Sequence, residues 1–358
     1  MAMIRSDVDV RLIAFYLPQY HPIPENDRWW GDGFTEWRNV ARARPNFAHH
    51  YQPHLPGELG SYDLREPAVR AAQAALAQAH GVAAFCYYYY WFSGKRLLER
   101  PLDDVIASGE PVFPFCICWA NENWTRHWDG RDDEVLIAQP YRNDDAARFI
   151  GDVLPLLADA RYLRINDRPL LLVYCAQAIP DPRRWLGIWR AEARRAGHPD
   201  LYLASVESVH EAPGDPRGAG FDAAVEFPPH WTRSNVVTSL VERVRPSFRG
   251  DILDYVSCAK DMLARAAPAY PIFRGVMPGW DNTPRLQDRS QCFVNAEPAN
   301  YARWLRAVVE QARAARSGDE RLVFVNAWNG WGEGCHLEPD VRHGRAFLDA
   351  TARALMHH

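Results

Sequence analysis

Eight short apolar runs, separated by helical patterns, constrain the fold of this chain more than any other feature. They are RLIAFYLP (11–18), VAAFCYYYYW (82–91), FPFCICWA (113–120), PLLLVYC (169–175), LYLASVES (201–208), AAVEFPP (223–229), IFRGVMPGW (272–280) and LVFVNAW (322–328). Their hydrophobicity is nearly continuous rather than alternating, as in parallel strands buried on both faces. Between them, Val69, Ala72, Leu76 and Ala79 step at three and four through 67–80, with Pro67 suited to the first turn and Gly81 to the stop. Tyr301, Leu305, Val308 and Ala312 repeat that pattern in 297–315. Helices also fit 97–108, 144–158, 182–196 and 344–355, and 254–266 carries a less regular one. The alternation predicts an α/β fold, a (β/α)8 barrel at about 45 residues per unit. A doubly wound sheet would carry a G-x-G-x-x-G turn after its first strand, and PQYHPIPENDRWWGDGFTEW lacks that spacing. No repeat or linker divides the chain. Residues 11–355 are therefore expected to form one barrel domain with long loops at its C-terminal face, after an extension over 1–10.

Composition narrows the partners. A net charge of −4 over 358 residues gives no electrostatic reason to expect nucleic acid. No run reaches the length of a membrane helix, and MAMIRSDVDVRLIAFYLP does not read as a signal peptide, so no membrane insertion and a cytoplasmic location are expected. The seven cysteines show no disulfide or metal spacing. Cys116 and Cys118 read as core thiols on one side of a strand. No metal set and no cofactor fingerprint is legible: G-x-S-x-G, the P-loop and H-E-x-x-H are all missing, and DGRDDE (129–134) reads as a solvated loop.

In a barrel the site lies at the C-terminal strand ends. The first end offers Gln19, Tyr20 and His21, followed by Trp30 and Glu36. The second offers Tyr88, Tyr90 and Trp91; the third, Trp119, Asn121, Glu122 and Trp124. Glu207 and Glu226 end the fifth and sixth runs, and Trp280 and Asp281 the seventh. The last end carries Asn326, Trp328, Asn329, Gly330, Trp331, Glu333 and His336. Of fourteen tryptophans, Trp185, Trp189 and Trp304 fall in helices, leaving eleven at strand ends or in the loops after them. An indole face packs against the C–H face of a pyranose, so this set points to a sugar cleft with an oligosaccharide as partner. A carboxylate at a buried strand end must be paired, hydrogen-bonded or functional. Glu333, bracketed by glycines in WGEG, is the leading candidate, with Glu122 and Glu226 behind it and Glu207 and Asp281 weaker.

FYLPQYHPIPENDRWWGDGFTEW, HYQPHLPGELGSYDLREP, GVAAFCYYYYWFSGKRLLERPLD, CWANENWTRHWDG and NAWNGWGEGCHLEPD together resemble the WbsX-like family, related to the endo-α-mannosidases and endo-α-mannanases of glycoside hydrolase family 99. The resemblance runs over roughly residues 11–350 and implies a (β/α)8 barrel acting on α-linked, mannoside-like bonds of a bacterial polysaccharide or O-antigen. The hydrolase family carries two glutamates after the last strand. The second serves as general acid/base, and the first assists the substrate's own 2-hydroxyl. By position the second is Glu333, and the first falls on Gly330. Three readings follow: a hydrolase or transglycosidase in which Glu122 or Glu226 takes the second role, a glycosyltransferase with an activated donor, or a non-catalytic sugar-binding barrel.

Overall fold

In the computed structural model, which describes residues 9–126, 131–208, 213–229 and 236–356, all eight apolar runs are strands. They are β1 (Arg11–Tyr16), β2 (Val82–Phe92), β3 (Phe115–Trp119), β4 (Arg168–Val173), β5 (Tyr202–Glu207), β6 (Ala223–Glu226), β7 (Ile272–Val276) and β8 (Leu322–Val325). Each pairs in parallel with the next. Arg11 to Ala14 of β1 then pair with Leu322 to Val325 of β8, closing the barrel. Closure leaves no sheet edge and explains why the runs are apolar on both faces.

The longer helices follow as α1 (Pro67–Ala79), α2 (Arg100–Ser108), α3 (Asp145–Leu157), α4 (Pro182–Arg195), α5 (Tyr255–Ala264), α6 (Pro298–Ala315) and α7 (Ala346–Leu355), and three short ones lie in the loops: Pro24–Trp30, which carries Trp29 and Trp30, Trp37–Arg42, and Thr283–Leu286. Helix α2 starts at Arg100 rather than at 97 because Lys95–Leu97 folds back on β2 as an antiparallel strand, with Leu97 opposite Tyr90. Among the described residues the β5–β6 connection holds only the short turn Pro216–Ala219, and the sequence shows no helical period there. None of the seven cysteines forms a disulfide. No helix among the described residues is long and apolar enough to cross a membrane.

Strand alternation decides what reaches the barrel mouth. In β2 the side chains of Tyr87, Tyr89 and Trp91 share one face, and Tyr88 and Tyr90 share the other. Tyr89 and Trp91 pack on Phe149 of α3, with ring centroids 6.0 and 5.4 Å away. Tyr88 and Tyr90 stack on each other at 6.2 Å, on the inner face. Tyr88, Tyr174 just after β4 and Phe227 just after β6 meet across the axis, with neighbouring centroids 5.9 and 5.5 Å apart. They form a layer contributed by alternate strands, as barrel interiors do. Phe15 lies against Phe227 at 4.9 Å and Phe324 at 5.6 Å. This aromatic plug is the floor of the site.

Candidate active site

Above the floor lies a cleft of about 820 Å³. Tyr88, Tyr90, Trp124, Tyr174 and Trp280 supply its aromatic walls. Glu122 and Glu333 supply its carboxylates, and Gln19, Asn121 and Arg285 are among its polar groups. The two carboxylates arrive from the ends of β3 and β8, with β1 and β2 between them in the barrel wall. Burial raises the Tyr174 hydroxyl well above the ordinary phenol range, and the negative charges of Glu122 and Glu333 push it further. It is a neutral hydroxyl, placed where both charges are felt.

Asn121 is fixed by backbone: its Nδ2 donates to the Cys175 carbonyl at 2.6 Å, and its Oδ1 accepts from the Cys175 amide at 2.8 Å. The clamp ties the β3 loop that carries Glu122 to the β4 loop that carries Tyr174.

Glu333 sits at the tip of a hairpin in which Asn329–Gly330 pairs with Cys335–His336. Its Oε1 accepts from Arg285 Nη1 at 2.6 Å, and its side chain is 16% exposed. Arg285 is shared, because its Nε and Nη2 reach the two oxygens of Glu36 at 2.5 and 3.1 Å. Gln19 Nε2 also donates to Glu36. Burial alone would lower the Arg285 guanidinium, but Glu333 and Glu36 hold it above its usual value. Gly332 is required here, since the Glu36 carboxylate occupies the place its Cβ would take. Glu36 is fully buried and lies outside the cleft lining, so its contact is with Arg285 rather than with a ligand.

Gly330 is equally constrained. A Cβ there would lie 2.5 Å from the Cys335 carbonyl oxygen across the hairpin. No side chain, a carboxylate included, fits position 330 without moving backbone. Gly330→Ala is expected to cost about 1–3 kcal/mol of stability by overpacking, read as a lower urea midpoint; an unchanged midpoint would show that the hairpin relaxes freely.

The other residues singled out in the sequence go elsewhere. Glu226, on β6, turns to the helix side: its carboxylate meets Arg265 at 3.3 Å and Arg274 at 3.4 Å, and Arg274 also bonds the Met262 carbonyl of α5. Burial raises its pKa, opposed by those two arginines. Glu207 pairs with the same Arg265. Trp119 is on the outer face of β3, stacked on Phe149 at 4.4 Å and on Trp185 of α4 at 5.8 Å, and Trp91 donates to Asp152 at 2.7 Å. Trp30 stacks on Phe34, and Trp328 packs beside Phe85. Tyr20 accepts from the Trp331 amide at 3.0 Å. Asn326 donates to the Pro228 carbonyl at 2.9 Å, and Asn329 brackets Leu17 with bonds of 2.8 and 3.0 Å. His21 is buried, which pushes its imidazole down to about 4.

The tryptophan set thus divides. Trp124 and Trp280 line the cleft, while Trp29, Trp30, Trp37, Trp91, Trp119, Trp328 and Trp331 pack in the walls and loops. Trp128 and Trp231 lie outside the described residues. The stretch 131–137 pairs antiparallel with 124–126, and Glu134 bridges Arg126 and Arg131; residues 129 and 130 lie outside the described residues.

A second cavity of about 380 Å³ adjoins the first, with Trp280 lining both. Asp281 and His336 face this one. No metal set is legible in the sequence, yet the fold gathers two among the described residues: His50, Asp281 and Cys292, and His54, His336 and Asp340. Their members are too far apart in sequence for any spacing rule to find them. Arg285 was missed for a similar reason, since the partner it shares with Glu333 is 249 positions away.

A closed (β/α)8 barrel with a carboxylate-bearing aromatic cleft at its C-terminal mouth is the class that this fold and site define. Within that class the chain belongs to the family described as Glycosyltransferase WbsX, whose model matches residues 12–351. It is 50% identical over 344 residues to the uncharacterized protein WxcX of Xanthomonas campestris pv. campestris, in two strains, covering 96% of this chain and 49% of the relative. The chain therefore spans about half the length of the curated relatives it matches. Among solved structures it resembles a glycoside hydrolase-like protein (TM-score 0.60, 15% identity, covering 100% of this chain and 97% of the other). It also resembles the GH99 endo-alpha-mannosidase from Bacteroides thetaiotaomicron (TM-score 0.59, 16% identity, 97% of each chain). At such identities the likeness is one of fold.

Proposed function

We propose that this barrel is a carbohydrate-active enzyme that cleaves or transfers α-linked, mannoside-like glycosidic bonds of a bacterial polysaccharide or O-antigen. The observation that carries this reading is the meeting of Glu333 and Glu122 in one aromatic cleft, at the barrel mouth, with a volume in the range of ligand pockets. Arg285 engages Oε1 of Glu333, so a proton delivered to the leaving oxygen would be carried on Oε2. That proton goes to the glycosidic oxygen as its bond to the anomeric carbon breaks. Glu122 takes a proton from the incoming water or acceptor hydroxyl as the new bond forms. Position 330 has no place in this scheme because its backbone is closed. Glu226 has none either, held by arginines on the helix side of the sheet. The anomer formed first, followed by proton NMR, checks the role of Glu122: inversion fits a base, and retention fits a nucleophile or an assisting 2-hydroxyl.

The parity of β2 gives a binding test. Tyr90→Ala is expected to weaken binding of α-linked manno-oligosaccharides about 2- to 13-fold, as loss of one aromatic contact of about 0.5–1.5 kcal/mol. Tyr87→Phe, on the opposite face, should leave binding unchanged in the same calorimetric titration. Equal effects would place the sugar elsewhere.

The family description favours a second reading, in which the glycosyl group comes from a nucleotide- or lipid-linked donor. Titration with a panel of sugar nucleotides separates the two, since hydrolysis needs no such donor. Binding of glycans without any turnover would instead identify a non-catalytic sugar-binding barrel.

A further inference from the structure

The second cavity is lined by histidines from two distant segments, HYQPH (50–54) and HLEPD (336–340), which the glycosidic chemistry does not use. Its two candidate metal sets differ in one decisive way: whether a nitrogen lone pair can be released to an ion.

Around Asp281 they are. His50 Nδ1 accepts from the Asn46 amide at 3.0 Å, so its proton is on Nε2, which faces Asp281 Oδ2 at 2.6 Å. Gln52 Nε2 donates to the same oxygen at 2.6 Å. The Thr283 amide and the Cys292 thiol serve Oδ1 at 3.0 and 3.1 Å. Burial also raises the Cys292 thiol well above its usual range. This is a closed set of donors around one carboxylate, with no nitrogen lone pair to offer an ion.

The set around His336 differs, because a single imidazole–imidazole bond joins its two rings and an ion could replace it. His336 Nδ1 faces the Glu338 carbonyl at 2.9 Å, which places the proton on Nδ1 and makes Nε2 the acceptor of the His54 Nδ1–H, 3.0 Å away. A metal-ligating imidazole commonly donates its other N–H to a carbonyl in this way, which fixes its tautomer. Both rings are also fixed by stacking, His336 on Trp331 at 3.7 Å and His54 on Tyr51 at 4.4 Å. A ligand oxygen of Asp340 lies within 4.8 Å of both nitrogens, and its Oδ1 accepts from the His343 amide at 2.5 Å. Two nitrogens each about 2.0–2.1 Å from a tetrahedral ion lie about 3.3 Å apart. The observed separation needs only a few tenths of an ångström and a tautomer change at His54.

We propose that His54, His336 and Asp340 form a binding site for a divalent transition-metal ion of the zinc class, fastening the loop after β1 to the hairpin that carries Glu333. Two imidazoles and one carboxylate suit zinc rather than magnesium or calcium, which take all-oxygen shells. The adjoining cavity leaves room for a water as fourth ligand. The ion is structural in this assignment, since its ligands line the second cavity and not the cleft.

The test uses the whole chain, stripped with chelator and titrated with Co2+ as a spectroscopic surrogate for zinc, beside zinc content after equilibration with Zn2+ alone. One equivalent is expected to bind, with visible ligand-field absorption and no thiolate charge-transfer band. His54→Gln and Asp340→Asn should each weaken binding by at least the roughly 10–100-fold that loss of an outer-shell partner costs, with unchanged far-ultraviolet circular dichroism to show that they fold. Cys292→Ser should bind as the parent does. A thiolate band that Cys292→Ser removes would place the ion on the other set and overturn the assignment. Absence of saturable binding by the parent chain, or full binding by both ligand variants, would overturn it as well.

Discussion

Glu333→Gln is expected to lower turnover of α-linked oligosaccharides by about 10²–10⁴-fold, the usual contribution of a positioned general acid. The amide keeps the shape of the carboxylate and an oxygen for Arg285 Nη1, so the hairpin and the cleft stay in place. What it loses, in the proposed role, is the proton for the leaving oxygen. The loss should therefore appear in kcat, with oligosaccharide affinity nearly unchanged. Glu122→Gln should also impair turnover, from the opposite wall. Activity that survives Glu333→Gln intact would remove Glu333 from the chemistry.

Arg285→Met is the second large effect, and it falls first on stability. Arg285 and Glu36 have side chains only 5% and 0% exposed, and the guanidinium is the cation that compensates the Glu36 carboxylate. Removing one partner of a buried pair leaves an uncompensated charge, at a cost of about 3–5 kcal/mol. Gln19 offers Glu36 a neutral donor and not a charge, so it offsets only part of that. Glu36→Gln combined with Arg285→Met should recover much of the stability, because the fully buried carboxylate is then gone and only the part-exposed Glu333 has lost its cation. Recovery of activity is not expected, since Glu333 has lost the group that orients it. Urea unfolding of the two single variants and the double variant gives the coupling directly. A cost below about 1 kcal/mol for Arg285→Met would contradict the assigned burial of the pair.

These two residues show where sequence reading succeeds and where it stops. The barrel was legible because strands buried on both faces write themselves as continuous apolar runs, and each of the eight runs is a barrel strand. The place of Glu333 at the cleft was legible from its glycines and its position after the last run. The YYYYW of β2 was half legible: period two separates Tyr88 and Tyr90 from Trp91, but only packing shows that α3 covers the odd face. The tryptophans misled for a related reason. Large indoles satisfy the need to plug the barrel top as readily as they satisfy a sugar, and seven of the nine described ones at strand ends or in the following loops are spent on packing. Arg285, His54 and Asp340 were not legible, since their significance lies in contacts between segments far apart in the chain. Gly330 changed meaning most. As a sequence position it reads as a missing carboxylate; in the fold it is a backbone crossing that excludes every side chain.

We propose that bonds between α-linked sugars are made or broken in the cleft between Glu122 and Glu333. Chromatography with mass spectrometry of α-linked manno-oligosaccharides and O-antigen fragments, incubated with the parent chain and with Glu333→Gln, tests it most directly. The account predicts shortened or extended glycans with the parent and none with the variant. The same products from both chains, or no change in any glycan with the parent, would contradict it.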